Sequence, residues 1–165
     1  MEEIKSVQIR WATLDDVENL IAVRLAYLSA DGAADTGWTA KLIANLRAYF
    51  TRHLSGSDFM AALAEDGDGH LVATAFLAVV EKPPGLSFPN GLTGMLMNVY
   101  TYPKFRRLGL ATTLVRFITA EASARRLDVI DLLTITDRMR LYEQLGFVNI
   151  GYSPMRLQVV GEGRM

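Results

Sequence analysis

The sequence predicts an α/β (α+β) fold on a mixed, mostly antiparallel sheet, and three observations carry that prediction. Two apolar runs, Phe59 to Glu65 and Leu71 to Val80, flank Asp66-Gly-Asp-Gly69, a hairpin signal that makes them antiparallel neighbours. An apolar strand from Met95 to Thr101, an amphipathic helix opening at Gly109 and a second apolar run from Val129 to Ile135 form a strand–helix–strand unit, the connection that parallel strands need. The chain has 165 residues, 50% of them apolar and 21% charged, enough to bury the core of a single domain over 1–165 without disulfides or metals.

The remaining elements follow from local pattern. Val7 to Trp11 alternates as a first strand. Thr13 precedes two acids and caps a helix that carries Val17, Leu20, Ile21, Leu25 and Leu28 on one face, to about Ser29. Ala30 to Trp38 holds two glycines and two aspartates and reads as a loop. Thr39 caps a second helix with Leu42, Leu46, Tyr49, Phe50 and His53 along one side, and Ser55-Gly-Ser-Asp58 ends it. Pro83-Pro-Gly85 and Asn90-Gly91 mark the connection into the strand at Met95. The helix from Gly109 aligns Leu110, Leu114, Ile118 and Ala122 and ends with Arg125 and Arg126, which suit its negative end. Thr136-Asp137 caps a short helix that Gly146 stops, and Phe147 to Ile150 and Met155 to Val160 alternate as two final strands.

Composition removes several classes of function. A formal charge of −1 gives no global attraction to nucleic acid or to an anionic membrane. Lys104, Arg106, Arg107, Arg116, Arg125 and Arg126 are spread over a loop and one helix with no aromatic stacking platform, so no nucleic-acid partner is expected. Cysteine is absent, which rules out a thiolate nucleophile or thiolate zinc site and suits a reducing, cytoplasmic setting. The two histidines, His53 and His70, lack metal-ligand spacing, so no metal is expected. The start of the chain has no signal-peptide pattern, and the most apolar stretch, Val72 to Val80, is too short to span a bilayer, so no membrane partner is expected either.

One segment points to chemistry. The strand ending at Thr101 and Pro103 runs into a basic turn, Arg106-Arg-Leu-Gly-Leu-Ala111, and straight into a helix. The first amides of a helix have no intrahelical acceptor and the helix dipole favours negative charge there, so this junction is built for an anion. Gly109 lets the backbone approach a bulky ligand.

Arg106-Arg-Leu-Gly-Leu-Ala111 resembles the Arg/Gln-x-x-Gly-x-Gly/Ala signature of the GNAT superfamily of N-acetyltransferases, and Leu141-Tyr-Glu-Gln-Leu-Gly-Phe147 resembles the Tyr-x-x-x-Gly-Phe segment that follows it. The resemblance runs from about Val7 to Val160. It implies a sheet flanked by helices on both faces, with neighbouring parallel strands splaying apart into an acyl-CoA cleft. It implies acetyl-CoA as co-substrate, with Met97, Asn98 and Val99 pairing to its pantetheine arm and the amides around Arg106, Arg107, Leu108, Gly109, Leu110, Ala111 and Thr112 cradling its pyrophosphate. Tyr142 would assist the departing sulfur, and the acceptor would be an amine of a small molecule or peptide. A homodimer is compatible with the family. Where many members carry an asparagine and a small residue, this chain has Thr134-Ile-Thr-Asp-Arg-Met-Arg140, with Thr136 or Asp137 in that place. A CoA-binding sensor or interaction module that has lost turnover is the alternative.

Several residues have two readings. A tyrosine at 142 serves as core packing or, because a phenol is protonated at neutral pH, as a donor to a thiolate. Tyr100 packs the strand or faces the acetyl group. Asp31, Asp35, Trp38 and Phe88 border the expected acceptor mouth, Glu81 is a candidate base at a strand end, and His53 reads as a core-edge histidine.

Overall fold

A computed structural model describes residues 6–30 and 40–159. The chain divides into two compact units, Met1–Thr134 and Ile135–Met165. In the first, β1 (Gln8–Trp11) leads through a 3-10 turn (Leu14–Asp16) into α1 (Val17–Ala30), followed by α2 (Ala40–Leu54). Then come β2 (Phe59–Glu65), β3 (Leu71–Glu81), β4 (Leu92–Thr101), a second 3-10 turn (Pro103–Phe105), α3 (Leu110–Ala124) and β5 (Val129–Leu132). The five strands lie in the order β1-β2-β3-β4-β5. β1 to β4 pair antiparallel and β5 joins β4 in parallel, as the hairpin and the crossover require.

Period-two alternation in the strands separates two faces. On one, Phe59, Ala61 and Leu63 of β2 and Phe76 of β3 join Val17, Leu20, Ile21 and Val23 of α1 and Phe50 of α2 in one core. The phenylalanines interlock edge to face, with ring centroids 5.4 Å apart for Phe59–Phe76 and 5.7 Å for Phe50–Phe76. The opposite parity of β2 and β3 is mostly small, with Ala62, Ala64, Ala73 and Ala75 fully buried. There α3 packs on the sheet with Leu110, Leu114, Val115, Ile118 and Ala122 inward. Helices therefore cover both faces.

The N-terminal strand is anchored by charge. Arg10 grips Asp16 with two 2.8 Å hydrogen bonds and reaches Glu65 of β2. Asp16 also accepts from the Thr13 amide at 2.7 Å and closes a capping box. Arg10 holds the Asp16 carboxyl below the usual carboxylate range, with help from the Thr13 amide.

In the second unit, α4 (Thr136–Gln144) is followed by a turn in which the amides of Leu145 and Phe147 donate to the Tyr142 carbonyl. Gly146 ends the helix in the left-handed region, with φ +91°. The two final strands expected from Phe147 to Ile150 and Met155 to Val160 are not formed over residues 147–159; Val160 lies outside the described residues. Alternation identifies a segment able to cover a face, but a strand exists only when its amides find a ladder partner. Here Gly151 turns with φ +76° and donates to the Asn149 side chain, and Val148, Ile150, Tyr152, Met155, Leu157 and Val159 stay exposed.

Candidate active site

The parallel pairing of β4 and β5 is short. It runs from Thr93 opposite Val129 to Leu96 opposite Leu132 and stops there. β5 ends, whereas β4 continues to Thr101 with a ladder, among the described residues, to β3 alone. Extended backbone with one unpaired edge can hydrogen-bond an extended ligand that carries amides of its own.

Within this stretch β4 carries a bulge. Tyr100 pairs with Thr74 and Met97 with Phe76, so Asn98 and Val99 together oppose the single residue Ala75. Asn98 adopts φ +51°, a left-handed conformation that asparagine tolerates better than most residues. Its side chain is 1% exposed. Its Oδ1 accepts from Arg24 Nη1 of α1 at 3.1 Å, while its Nδ2 has no hydrogen-bond partner. The Arg24 guanidinium lies 5.5 Å from the Tyr27 ring centre. Tyr27 meets Tyr100 edge-on at 6.5 Å, and Tyr100 meets Tyr102 at 5.2 Å. Burial pushes the Tyr102 phenol above its ordinary value.

Past Thr101 the chain turns through Pro103–Phe105. Arg106 ties the turn down, its Nε donating to the Thr101 carbonyl at 3.1 Å. Arg107 and Gly109 take φ values of +64° and +75°, and α3 starts at Leu110. The first bond of the helix runs from the Thr113 amide to the Gly109 carbonyl, and no amide from Arg107 to Thr112 donates to a described residue. A Cβ built on Gly109 meets no atom within 4 Å. The junction is thus an open row of amide donors at the positive end of a fifteen-residue helix.

A separate pocket of about 240 Å³ lies beside Trp11, Phe59, Met60 and Arg125. It sits at the far end of α3, roughly 22 Å along the helix from Gly109, and does not belong to this junction. Asp66, Asp68 and His70 gather at the β2–β3 hairpin, where Asp66 Oδ1 accepts the amides of Asp68 and His70, the bonding of a turn.

A strand that runs on past its parallel neighbour, a bulge in that stretch and a row of amides at the following helix suit a protein that binds an extended ligand ending in an anion. The chain matches the model of the acetyltransferase (GNAT) family over residues 21–147 and belongs to that family. It is similar in fold to a predicted acetyltransferase from Clostridium acetobutylicum solved with acetyl-CoA, at 24% identity, TM-score 0.81, over 92% of this chain and 96% of that one. It is also similar to glucosamine-6-phosphate N-acetyltransferase from Arabidopsis thaliana, at 20% identity, TM-score 0.73, over 93% and 99% of the two chains. A third similar structure is ribosomal-protein-alanine N-acetyltransferase from Brucella melitensis biovar Abortus 2308, at 19% identity, TM-score 0.68, over 94% and 100%. No curated protein sequence matches the chain. The residues present fit acetyl-CoA, the family's co-substrate: among the described residues the Arg107–Thr112 amides have no acceptor, nothing fills the space over Gly109 and no strand pairs with the β4 edge beyond Leu96.

The sequence-derived candidates fall into groups. Met97, Asn98 and Val99 lie on the one-sided part of β4, and Arg106 to Thr112 form the turn and helix start. Leu110 turns its side chain into the core and leaves its backbone to the cradle, while Leu108 is exposed. Tyr142 belongs to the second unit, on α4, buried and edge-on to Phe147 at 5.8 Å. Glu81 is an exposed residue opposite Leu92, roughly 20 Å along the strand from the bulge, so neither it nor the connection after it borders Asn98. His53 pairs with Asp58 at 2.8 Å and stacks on Tyr49, a core-edge histidine as its helix face suggests. Asp31, Asp35 and Trp38 lie outside the described residues. Sequence reasoning missed Arg24. Its signal was a lone guanidinium on the apolar stripe of the first helix, one turn from Leu20 and one from Leu28.

Proposed function

We propose that this protein transfers the acetyl group of acetyl-CoA to a primary amine of a small molecule or peptide by direct attack of the amine. The observation that carries the reading is the open row of amides from Arg107 to Thr112, at the end of a strand whose other edge has no partner beyond Leu96 among the described residues. These amides bind the pyrophosphate as charge-assisted donors, and Gly109 leaves room for it. Met97 to Val99 hold the pantetheine arm as an added strand would be held.

When bound, acetyl-CoA supplies an activated carbonyl. The Val99 amide, re-aimed by the bulge, stabilises the charge that develops on the carbonyl oxygen. An amine of pKa about 10 arrives protonated and must lose its proton before it attacks. Tyr142 donates a hydrogen bond to the departing sulfur; the similarity of Leu141–Phe147 to the family segment and the phenol's donor chemistry support that role. Direct attack needs no covalent intermediate, which suits a chain without cysteine. The two similar structures named as acetyltransferases of glucosamine 6-phosphate and of a ribosomal-protein alanine support an acceptor amine on either a small molecule or a peptide. We assign the activity to the cytoplasm, supported by the cysteine-free composition; no helix among the described residues is long and apolar enough to cross a membrane.

Release of CoA thiol from acetyl-CoA across an amine panel tests the reading. Amine-dependent release is expected. Binding of acetyl-CoA with no release to any amine would leave a cofactor-binding module in place of an enzyme.

A further inference from the structure

We propose that Arg24, with Asn98, recognises an anionic group on the acceptor, so that the acceptor is a small amine that also carries a carboxylate or a phosphate. The inference rests on the transferase reading above and names its substrate class.

Arg24 differs from the other well-placed arginines. Arg10 pairs with Asp16 and Glu65, Arg47 with Glu18, and Arg125 with Glu121. Arg24 sits half-buried on the inner face of α1, and among the described residues no carboxylate pairs with it. Its one hydrogen bond among those residues goes to a neutral oxygen, Asn98 Oδ1, at 3.1 Å. A guanidinium withdrawn from water without a counter-charge is costly, and an arriving anion relieves that cost.

The Asn98 amide points to the same chemistry. A guanidinium only donates, so it must meet Oδ1, and this turns Nδ2 into a buried donor without a partner. Apart from the second lone pair of Oδ1, the hydrogen-bonding valences left on these two side chains are donors. The complementary group is rich in acceptors and negatively charged. A carboxylate or a phosphate presents two oxygens that match the planar arginine fork best. The Tyr27 ring, 5.5 Å from the guanidinium, limits where that fork can point.

Position ties this recognition point to the reaction. Asn98 is the bulge residue next to Val99, whose amide serves the reacting carbonyl in the proposed mechanism. An anion on Arg24 places an amine only a few bonds away beside that carbonyl. A polycationic acceptor would instead bring like charge to the guanidinium.

The experiment uses two matched pairs of acceptors with the full chain: an α-amino acid against its amide, and an amino sugar phosphate against the free amino sugar. In at least one pair the anionic member is expected to have a kcat/KM tenfold or more above its neutral counterpart, and that pair identifies the anion. Arg24→Gln should bring the ratio close to one, and Arg24→Lys should keep part of it. If Arg24→Gln does not fold, Asn98→Asp carries the same test, because it supplies Arg24 with an internal carboxylate and should collapse the ratio. Equal use of both members, preference for the neutral member, turnover with none of the four, or a ratio indifferent to Arg24→Gln overturns the proposal. Calorimetry separates the two failures. A wild-type protein that binds no acetyl-CoA overturns the transferase reading as well, whereas one that binds it and ignores acceptor charge overturns this inference alone.

Discussion

Replacing Gly109 separates what the cradle does for folding from what it does for binding. Gly109 holds φ +75°, where any L side chain is strained by about 1 kcal/mol. A Cβ there meets no protein atom within 4 Å, so packing adds nothing to that cost. For a chain of this size the change lowers Tm by roughly 2–4 °C, and Gly109→Ala and Gly109→Glu should both still fold. Binding is another matter. The glutamate carboxylate would occupy the space over the free amides and repel a phosphate. Charge-assisted hydrogen bonds contribute about 1.5–3 kcal/mol each. Losing two of them weakens acetyl-CoA by about 10²–10⁴-fold. Gly109→Ala, which adds bulk without charge, should fall between wild type and Gly109→Glu. Calorimetric titration with acetyl-CoA, beside thermal melts of the same samples, reads both effects. A folded Gly109→Glu protein with wild-type affinity would show that the pyrophosphate does not lie on this junction.

Tyr142→Phe keeps the ring and removes the donor, so turnover should fall by about 10²–10⁴ while acetyl-CoA affinity changes little. An unaltered kcat would assign the donor role to water. Asp16→Asn weakens the grip on Arg10 and should cost about 1–3 kcal/mol in urea unfolding at neutral pH. Because the folded Asp16 carboxyl is held below its ordinary value, its stabilisation is complete above about pH 4 and is lost as pH falls through the lowered value. The gap between wild type and variant should therefore narrow as the solution is made more acidic than the ordinary carboxylate range, and a pH-independent gap would contradict the ion pair. Gly94→Ala places a Cβ 2.8 Å from Leu77 Cδ1 and 3.2 Å from Leu127 Cδ2 under α3, and overpacking should cost about 1–3 kcal/mol. An unchanged melting temperature would mean that the leucines rotate away freely.

Legibility followed the range of the interactions. The β2–β3 hairpin, the β4–α3–β5 crossover and the amide cradle were readable because each is decided within a few residues: a glycine-rich turn between apolar runs, or a glycine and two arginines between a strand and a helix. Backbone geometry there depends on local dihedral preference, which residue identity reveals. The recognition pair was not readable, because Arg24 and Asn98 lie 74 residues apart and meet only when α1 packs over β4. The bulge at Asn98 and Val99 likewise depends on the register against β3, set by the pairing of whole strands. Glu81 looked close to the site in sequence and lies at the other end of the strand, since chain order says nothing of which end of a sheet a cleft opens on. Phe147 to Ile150 and Met155 to Val160 alternate like two strands, yet none forms over residues 147–159, because side-chain pattern shows what a segment could bury while a backbone partner decides whether it extends. Local propensity thus determined the elements and the anion-binding junction, and long-range packing decided which side chains converge beside it.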